Sequence, residues 1–192
     1  VRCLLMIMMS DDGTLISTCT SRNGKMFENF YHIEEQVRNN YVKLVRSIKS
    51  RHGSDFTKGF VLDGEVIGNT FQELMRQARR KENAQTQDAV LNLFDMITLN
   101  EFRNGRSDTA QHARSALLKG WHSLYADHMP NVTVVGQETV DLDTQAGQAR
   151  YKMINTQAVA GGYEGIMIKD PDAGYECKRG RAWMKLKPFI EV

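Results

Sequence analysis

Four short segments, far apart in the chain, carry residue types suited to phosphate chemistry: Ser21-Arg22-Asn23-Gly24, Leu62-Asp63-Gly64-Glu65, Glu164-Gly165-Ile166-Met167-Ile168-Lys169 and Trp183-Met184-Lys185-Leu186-Lys187-Pro188. Asp63 and Glu65 are two positions apart, so on a strand they share a face, about 7 Å from each other along the chain. Carboxylates at the end of an apolar strand are costly to bury unpaired. Glu164 is a further acid at a strand edge, with Lys169 at the far end of that strand. Lys185 and Lys187, again two apart, point to one side and repel each other unless an anion lies between them. A phosphate meets that need, as does Glu65 or Glu164. Arg22 offers a planar fork for phosphate oxygens beside a glycine that permits a tight turn. Phe94, in Leu91-Asn92-Leu93-Phe94-Asp95, is a candidate to stack on a purine base, although a core ring is the commoner role of any one phenylalanine. Each feature has a plain alternative: a charged turn at Asp63-Gly64-Glu65, a surface acid at Glu164, an exposed strand face at the lysines. In combination they make a site for a nucleotide and a divalent metal. Phosphoryl or nucleotidyl transfer needs charge neutralisation there more than elaborate acid–base machinery.

The elements that must position these residues follow from periodicity. Val1 to Met9 reads as a buried strand, and the Asp11-Asp12-Gly13 turn leads into a second strand, Thr14 to Thr20, as a hairpin. From Asn29 to Lys49 apolar residues recur at helical spacing (Ile33, Val37, Tyr41, Leu44, Val45, Ile48), and Arg51-His52-Gly53 ends the helix. Gly59 to Ile67 and Leu91 to Ile97 are strands. Thr70 to Arg80 reads as a helix with Thr70 as cap and Glu73 as its box partner. Ser107 to Leu124 is expected to be helical, Val132 to Val135 and Glu138 to Val140 short strands, and Gln145 to Ala158 a helix capped by Asp143. Gly161-Gly162 closes that helix and feeds a strand at Gly165 to Ile168; a last strand runs from Ala182 to Lys187. Strands near both ends with helices of uneven length predict an α+β fold rather than a regular βαβ alternation.

Length and composition bound the rest. The 192 residues, 41% hydrophobic and 25% charged, suit one globular domain. No apolar run is long enough to span a bilayer, and no secretory signal pattern follows Cys3 to Met9. The formal charge of +2 does not announce a nucleic-acid binder, but basic residues cluster at Arg76, Arg79, Arg80, Lys81 and again at Lys178, Arg179, Arg181, Lys185, Lys187, as in proteins that bind phosphates on one face. Cys3, Cys19 and Cys177 are too few and too scattered for a disulfide framework or a zinc site, and suggest a reducing compartment. Neither a Rossmann glycine fingerprint nor a P-loop occurs. The chain opens on Val1, directly in a strand, as a piece of a larger protein would.

From Arg2 to Pro188 the segments resemble, in order, the nucleotidyltransferase motifs of ATP-dependent DNA ligases, most closely the short ligases of bacteriophages. That resemblance implies a ligase-type nucleotidyltransferase (ATP-grasp-like) domain with antiparallel sheets flanked by helices. Residues 1–192 would be a single adenylation domain, with an OB-fold domain of the same polypeptide following it. In the family the nucleophilic lysine lies in a Lys-x-Asp-Gly-x-Arg segment. Val1-Arg2 resembles its last two positions, so the lysine would lie just upstream and this stretch alone would not self-adenylate. The resemblance further implies that Arg2 contacts the ribose, Arg22 a phosphate, Glu65 the ribose hydroxyl and Phe94 the adenine. Glu164 would hold a divalent metal, and Lys185 and Lys187 would be catalytic, contacting the α-phosphate. The implied cofactors are ATP (AMP) and Mg²⁺, and the implied partner is nicked double-stranded DNA. The protein would be a monomer without membrane attachment, in a bacterial or phage-infected host cytoplasm. Glu164 stands where messenger RNA capping enzymes and NAD-dependent ligases usually have an aspartate, which disfavours both. An RNA ligase of the same superfamily, or a non-catalytic nucleic-acid-binding module of the same fold, is the alternative.

Overall fold

Alternation along the first strand sets up a sheet with two differently used faces. In the computed structural model, which describes residues 1–52, 55–68 and 86–187, the elements in chain order are β1 (Arg2–Met9), β2 (Leu15–Thr20), α1 (Tyr31–His52), β3 (Gly59–Ile67), β4 (Val90–Thr98), α2 (Leu99–Arg103), β5 (Arg106–Ser107), α3 (Gln111–Tyr125), β6 (Val132–Val134), α4 (Gln145–Ala160), β7 (Ile166–Lys169), β8 (Tyr175–Glu176) and β9 (Trp183–Leu186). The expected helix at Thr70 to Arg80, with the basic cluster Arg76 to Lys81, lies outside the described residues, as does Pro188.

The main sheet has the order β2-β1-β3-β4-β6. It is antiparallel except for the edge pair β4–β6, which is parallel. The fold is therefore α+β with antiparallel sheets, as expected, plus one parallel edge. The hairpin β1–β2 forms where predicted, with Met9 opposite Leu15. Asp12 Oδ1 fixes the turn by accepting from Thr14 N at 2.9 Å and Ser10 Oγ at 2.5 Å.

One face of the sheet presents Cys3, Leu5, Ile7, Phe60, Leu62, Leu91 and Leu93 to a core closed by Ile33, Val37 and Tyr41 of α1 and Leu118 and Trp121 of α3. Tyr41 stacks on Phe60 with centroids 5.7 Å apart. The spacing of Ile33, Val37 and Tyr41 is one apolar stripe of a helix; the side chains of Leu44, Val45 and Ile48 lie outside those described. The opposite face carries a smaller cluster, Leu4, Val61, Ile97, Leu99 and Tyr175, and the polar residues treated below.

The sheet is interrupted at one place. Asp63 opposes Asp95, but Gly64 opposes Leu93, so Phe94 is an extra residue in β4. This is a β-bulge, which re-aims side chains and ends regular pairing. A Cβ on Gly64 would lie 2.7 Å from the Asn92 carbonyl oxygen and 2.9 Å from Leu91 Cδ1, so only glycine lets the strands approach this closely.

Four details differ from the sequence reading. Glu138 to Val140 is not a strand: the β4–β6 ladder stops beside the bulge at Leu93, whose oxygen accepts from Val135 N at 2.8 Å. Glu138 instead makes a two-pronged pair with Arg150 of α4, 2.7 Å on each arm. The helix expected from Ser107 starts at Gln111: Arg106 and Ser107 pair with Glu176 and Tyr175, and the first helical N–H groups donate to Ala173 and Pro171 carbonyls, both at 2.9 Å. The cap of α4 is Thr144, not Asp143, since only the residue before Gln145 can reach the N–H of Gly147. Helix α2 was not anticipated, although Thr98-Leu-Asn-Glu101 is a capping box.

Gly64→Ala is expected to destabilise the protein by about 1–3 kcal/mol, because backbone must move to admit the methyl group. A lower urea midpoint at unchanged m-value checks this; an unchanged midpoint contradicts the close approach.

Candidate active site

Two acids meet in the sheet where like charges should not. Asp63 and Asp95 are direct cross-strand partners, and they are 2% and 0% exposed. Each is matched by an arginine. Arg2 donates to Asp63 through Nε at 3.0 Å and Nη2 at 2.5 Å, and Tyr175 Oη adds a third donor at 2.7 Å. Arg114, itself buried on α3, donates to Asp95 through Nε at 2.8 Å and Nη2 at 3.1 Å. It also donates to Gln111 Oε1 at 2.7 Å and to the Thr109 carbonyl. Burial pushes the Asp63 carboxyl up, against the bonds from Arg2 and Tyr175. Burial and the Asp63 charge together push the Tyr175 phenol well above its ordinary range.

The bulge places Phe94 beside this pair. The Arg2 guanidinium is 5.7 Å from its ring centroid and Lys169 Nζ 5.1 Å. Trp183 meets the ring edge-on at 5.8 Å, and Lys169 Nζ lies 4.0 Å from the Trp183 ring. Lys169 also donates to the Phe94 carbonyl at 2.9 Å and sits 3.9 Å from Asp95 Oδ2. Burial brings its ammonium down to about 8, with Asp95 and Asp63 resisting.

Lys169 and Trp183 are partners in the ribbon β7–β9, which pairs Ile166 with Leu186 and Met167 with Lys185. The ribbon runs from the Phe94 ring to the acid–lysine group. There both Lys185 and Lys187 reach the same oxygen of Glu164, Oε2, each at 2.8 Å. Gly165 makes the crossing possible: its φ is +136°, and a Cβ there would collide with the Leu186 carbonyl. The lysine hydrogen bonds bring the exposed Glu164 carboxyl down to about 2, and Glu164 in turn raises Lys187.

The expected site residues are thus largely gathered. Arg2, Glu65 and Phe94 lie on one face of the sheet, with Arg2 opposite Glu65 in register, and Asp63 and Glu65 share that face as their spacing predicts. Glu164, Lys185 and Lys187 form one group. Arg22 is exposed in the turn that ends β2, closed by Ser21 N to Lys25 O at 2.7 Å. Antiparallel pairing puts that turn at the Arg2 end of the sheet. Sequence reasoning missed Asp95, Arg114 and Tyr175 and gave Lys169 no role. One signal was available: Arg114 falls on the same helical stripe as Leu118 and Trp121, and an arginine there needs a buried acid.

Among the described residues no group of three or more His, Cys, Asp or Glu side chains is placed to hold a metal. A single exposed carboxylate is what Mg²⁺ takes when substrate phosphates complete its shell, so Glu164 fits that role. No described helix is long and apolar enough to cross a membrane.

An acid shared by two lysines is joined by a ribbon to an aromatic ring flanked by cations, an arrangement chemically suited to a nucleotide and its phosphates. The fold is that of DNA ligases: the ATP-dependent DNA ligase from bacteriophage T7 in complex with ATP superposes with a TM-score of 0.69 over 98% of this chain and 59% of that one, at 18% identity. The solved structure Pmar-Lig_PreS3 superposes with a TM-score of 0.83, at 43% identity, over 99% of this chain and 40% of that one. Residues 9–187 match the family described as ATP dependent DNA ligase domain, and the chain belongs to that family. DNA ligase 2 of Methanosarcina acetivorans is 28% identical over 185 residues, covering 89% of this chain and 30% of that protein. The DNA ligase of Natronomonas pharaonis is 32% identical over 142 residues, 69% of this chain and 24% of that protein. The chain therefore spans less than a third of the length of these two curated relatives.

The Glu164 carboxyl should titrate near 2 by carbon NMR and move toward the ordinary glutamate range in Lys185→Ala. Because its folded value is depressed, its contribution to stability is present above the ordinary glutamate value and lost as pH falls toward 2. An ordinary midpoint in the parent protein contradicts the shared-oxygen geometry.

Proposed function

We propose that this chain is the adenylation domain of an ATP-dependent ligase that seals nicks in double-stranded DNA through lysyl-AMP and DNA-adenylate intermediates. The observation that carries the reading is the Glu164–Lys185–Lys187 group joined by one ribbon to Phe94, since it holds cations suited to a phosphate at a fixed distance from a ring suited to a base. In this reading residues 1–192 are one domain, an OB-fold domain follows in the same polypeptide, and the nucleophilic lysine precedes Val1.

The residues divide the work by chemistry. Phe94 stacks on the adenine. Arg2, whose Nη1 is not used by Asp63, and Glu65 opposite it hold the ribose. Arg22, in its exposed turn, meets a phosphate at the sheet end. Lys185 and Lys187, held on Glu164 Oε2, turn their remaining N–H donors to the α-phosphate, where negative charge builds as the bond to pyrophosphate breaks; cations fixed in this way stabilise that charge without reorganising. The same cations favour a deprotonated amine nucleophile nearby. Glu164 would hold Mg²⁺ together with phosphate oxygens, and the ion would supply charge neutralisation.

Two variants of the complete polypeptide test these roles. Lys187→Ala should lower the rate of self-adenylation at least ~10²-fold while the thermal midpoint holds; near-normal adenylation contradicts the lysine assignment. Phe94→Ala should weaken ATP binding by about 1–3 kcal/mol, whereas lost stability with unchanged ATP affinity returns the ring to the core. Sealing of a nicked DNA duplex, with a nicked RNA duplex as comparison, decides the substrate: faster sealing of RNA would make this an RNA ligase.

A further inference from the structure

We propose that Lys169 and Gln137 are positioning residues that clamp the Phe94 carbonyl from two sides and so fix the ring against which the base stacks. The inference rests on the reading of Phe94 as the base platform. Phe94 is the extra residue of the bulge, and its strand neighbour β6 ends at Val134, with Val135 N already on the Leu93 oxygen. The Phe94 carbonyl therefore has no place in the ladder, and a carbonyl in this setting needs other donors. It receives two: Lys169 Nζ at 2.9 Å from β7 and Gln137 Nε2 at 3.0 Å from the segment after β6.

Each donor is itself held. Ser115 Oγ donates to Gln137 Oε1 at 2.5 Å, and Gln111 Nε2 donates to Ser115 Oγ at 3.0 Å. Arg114 Nη2 donates to Gln111 Oε1 at 2.7 Å while binding Asp95, the residue next to Phe94. Lys169 is wedged against the Trp183 ring, which meets Phe94 edge-on. The two halves of the clamp come from elements 32 residues apart in the chain, Gln137 and Lys169, and converge on one oxygen. An exposed lysine on a strand end has no reason to be desolvated to this degree; a lysine serving as an internal donor does. Its side chain is 12% exposed, against 50% and 54% for Lys185 and Lys187.

The test uses the complete polypeptide and calorimetric binding of two probes, ATP and inorganic tripolyphosphate; the second engages phosphate groups but carries no base. Lys169→Met should weaken ATP binding about tenfold, the loss of one charge-assisted hydrogen bond, with tripolyphosphate affinity within about twofold of the parent. Lys169→Arg, which keeps a cationic donor, should restore most of the ATP affinity. Gln137→Leu should act in the same direction, and it carries the test alone if Lys169→Met does not fold. Unchanged ATP affinity in a folded variant overturns the clamp, and so does an equal loss for both probes, which would make Lys169 a phosphate contact. Failure of the parent protein to bind ATP at all overturns the proposed function, and the clamp with it.

Discussion

Two buried carboxylates held opposite each other across a pair of strands organise this site. Asp63 and Asp95 lack water to screen their repulsion, and a buried charge is tolerated only when paired and hydrogen-bonded. The cations and donors that meet the need come from β1 (Arg2), β8 (Tyr175), α3 (Arg114) and β7 (Lys169). Satisfying two charges thus draws the start of the chain, the middle helix and the C-terminal ribbons to one spot. Removing either arginine would leave an uncompensated charge, typically a loss of about 3–5 kcal/mol. The pair fixes where these elements meet.

The bulge at Phe94 is the second half of the same arrangement. In a regular ladder continuing from the Gly64–Leu93 pair, Phe94 would oppose Asp63. With the bulge, the ring stands beside Asp95 on the side of the sheet where Arg2, Lys169 and Trp183 converge. The β7–β9 ribbon then carries geometry outward, from Lys169 and Trp183 against the ring to Lys185 and Lys187 on Glu164. Trp183 and Lys185 are two residues apart on one strand, about 7 Å. The Phe94 ring and the acid–lysine group are thereby spaced by a strand rather than by a loop, which is the rigidity the proposed transfer site needs.

Much of this was legible in the sequence, for identifiable reasons. The strand at Gly59 to Ile67 is legible with its observed bounds because apolar residues flank Asp63-Gly64-Glu65 on both sides, between Lys58 and Gly68-Asn69. Period-two spacing put Asp63 with Glu65 and Lys185 with Lys187, and the structure keeps both pairs on shared faces. The need for an anion between the lysines left a phosphate, Glu65 and Glu164 open, and the structure places Glu164 there. What stayed hidden depends on pairing across distance: Asp63 with Tyr175 spans 112 residues, and Asp95 with Arg114 spans 19. No local pattern signals such partners. The bulge was equally unreadable, since it arises from register between strands rather than from either strand alone. The missed helix α2 is a different case, because its capping box was written in Thr98 and Glu101.

The central claim is that these residues form the phosphate and base sites of an adenylating enzyme, and mass spectrometry of the complete polypeptide after incubation with ATP and Mg²⁺ tests it most directly. The account predicts one covalently attached AMP, on a lysine just before Val1 by peptide mapping, removed when pyrophosphate is added. ATP binding without any adduct would contradict it and leave a fold that grips nucleotide or nucleic acid without performing the transfer.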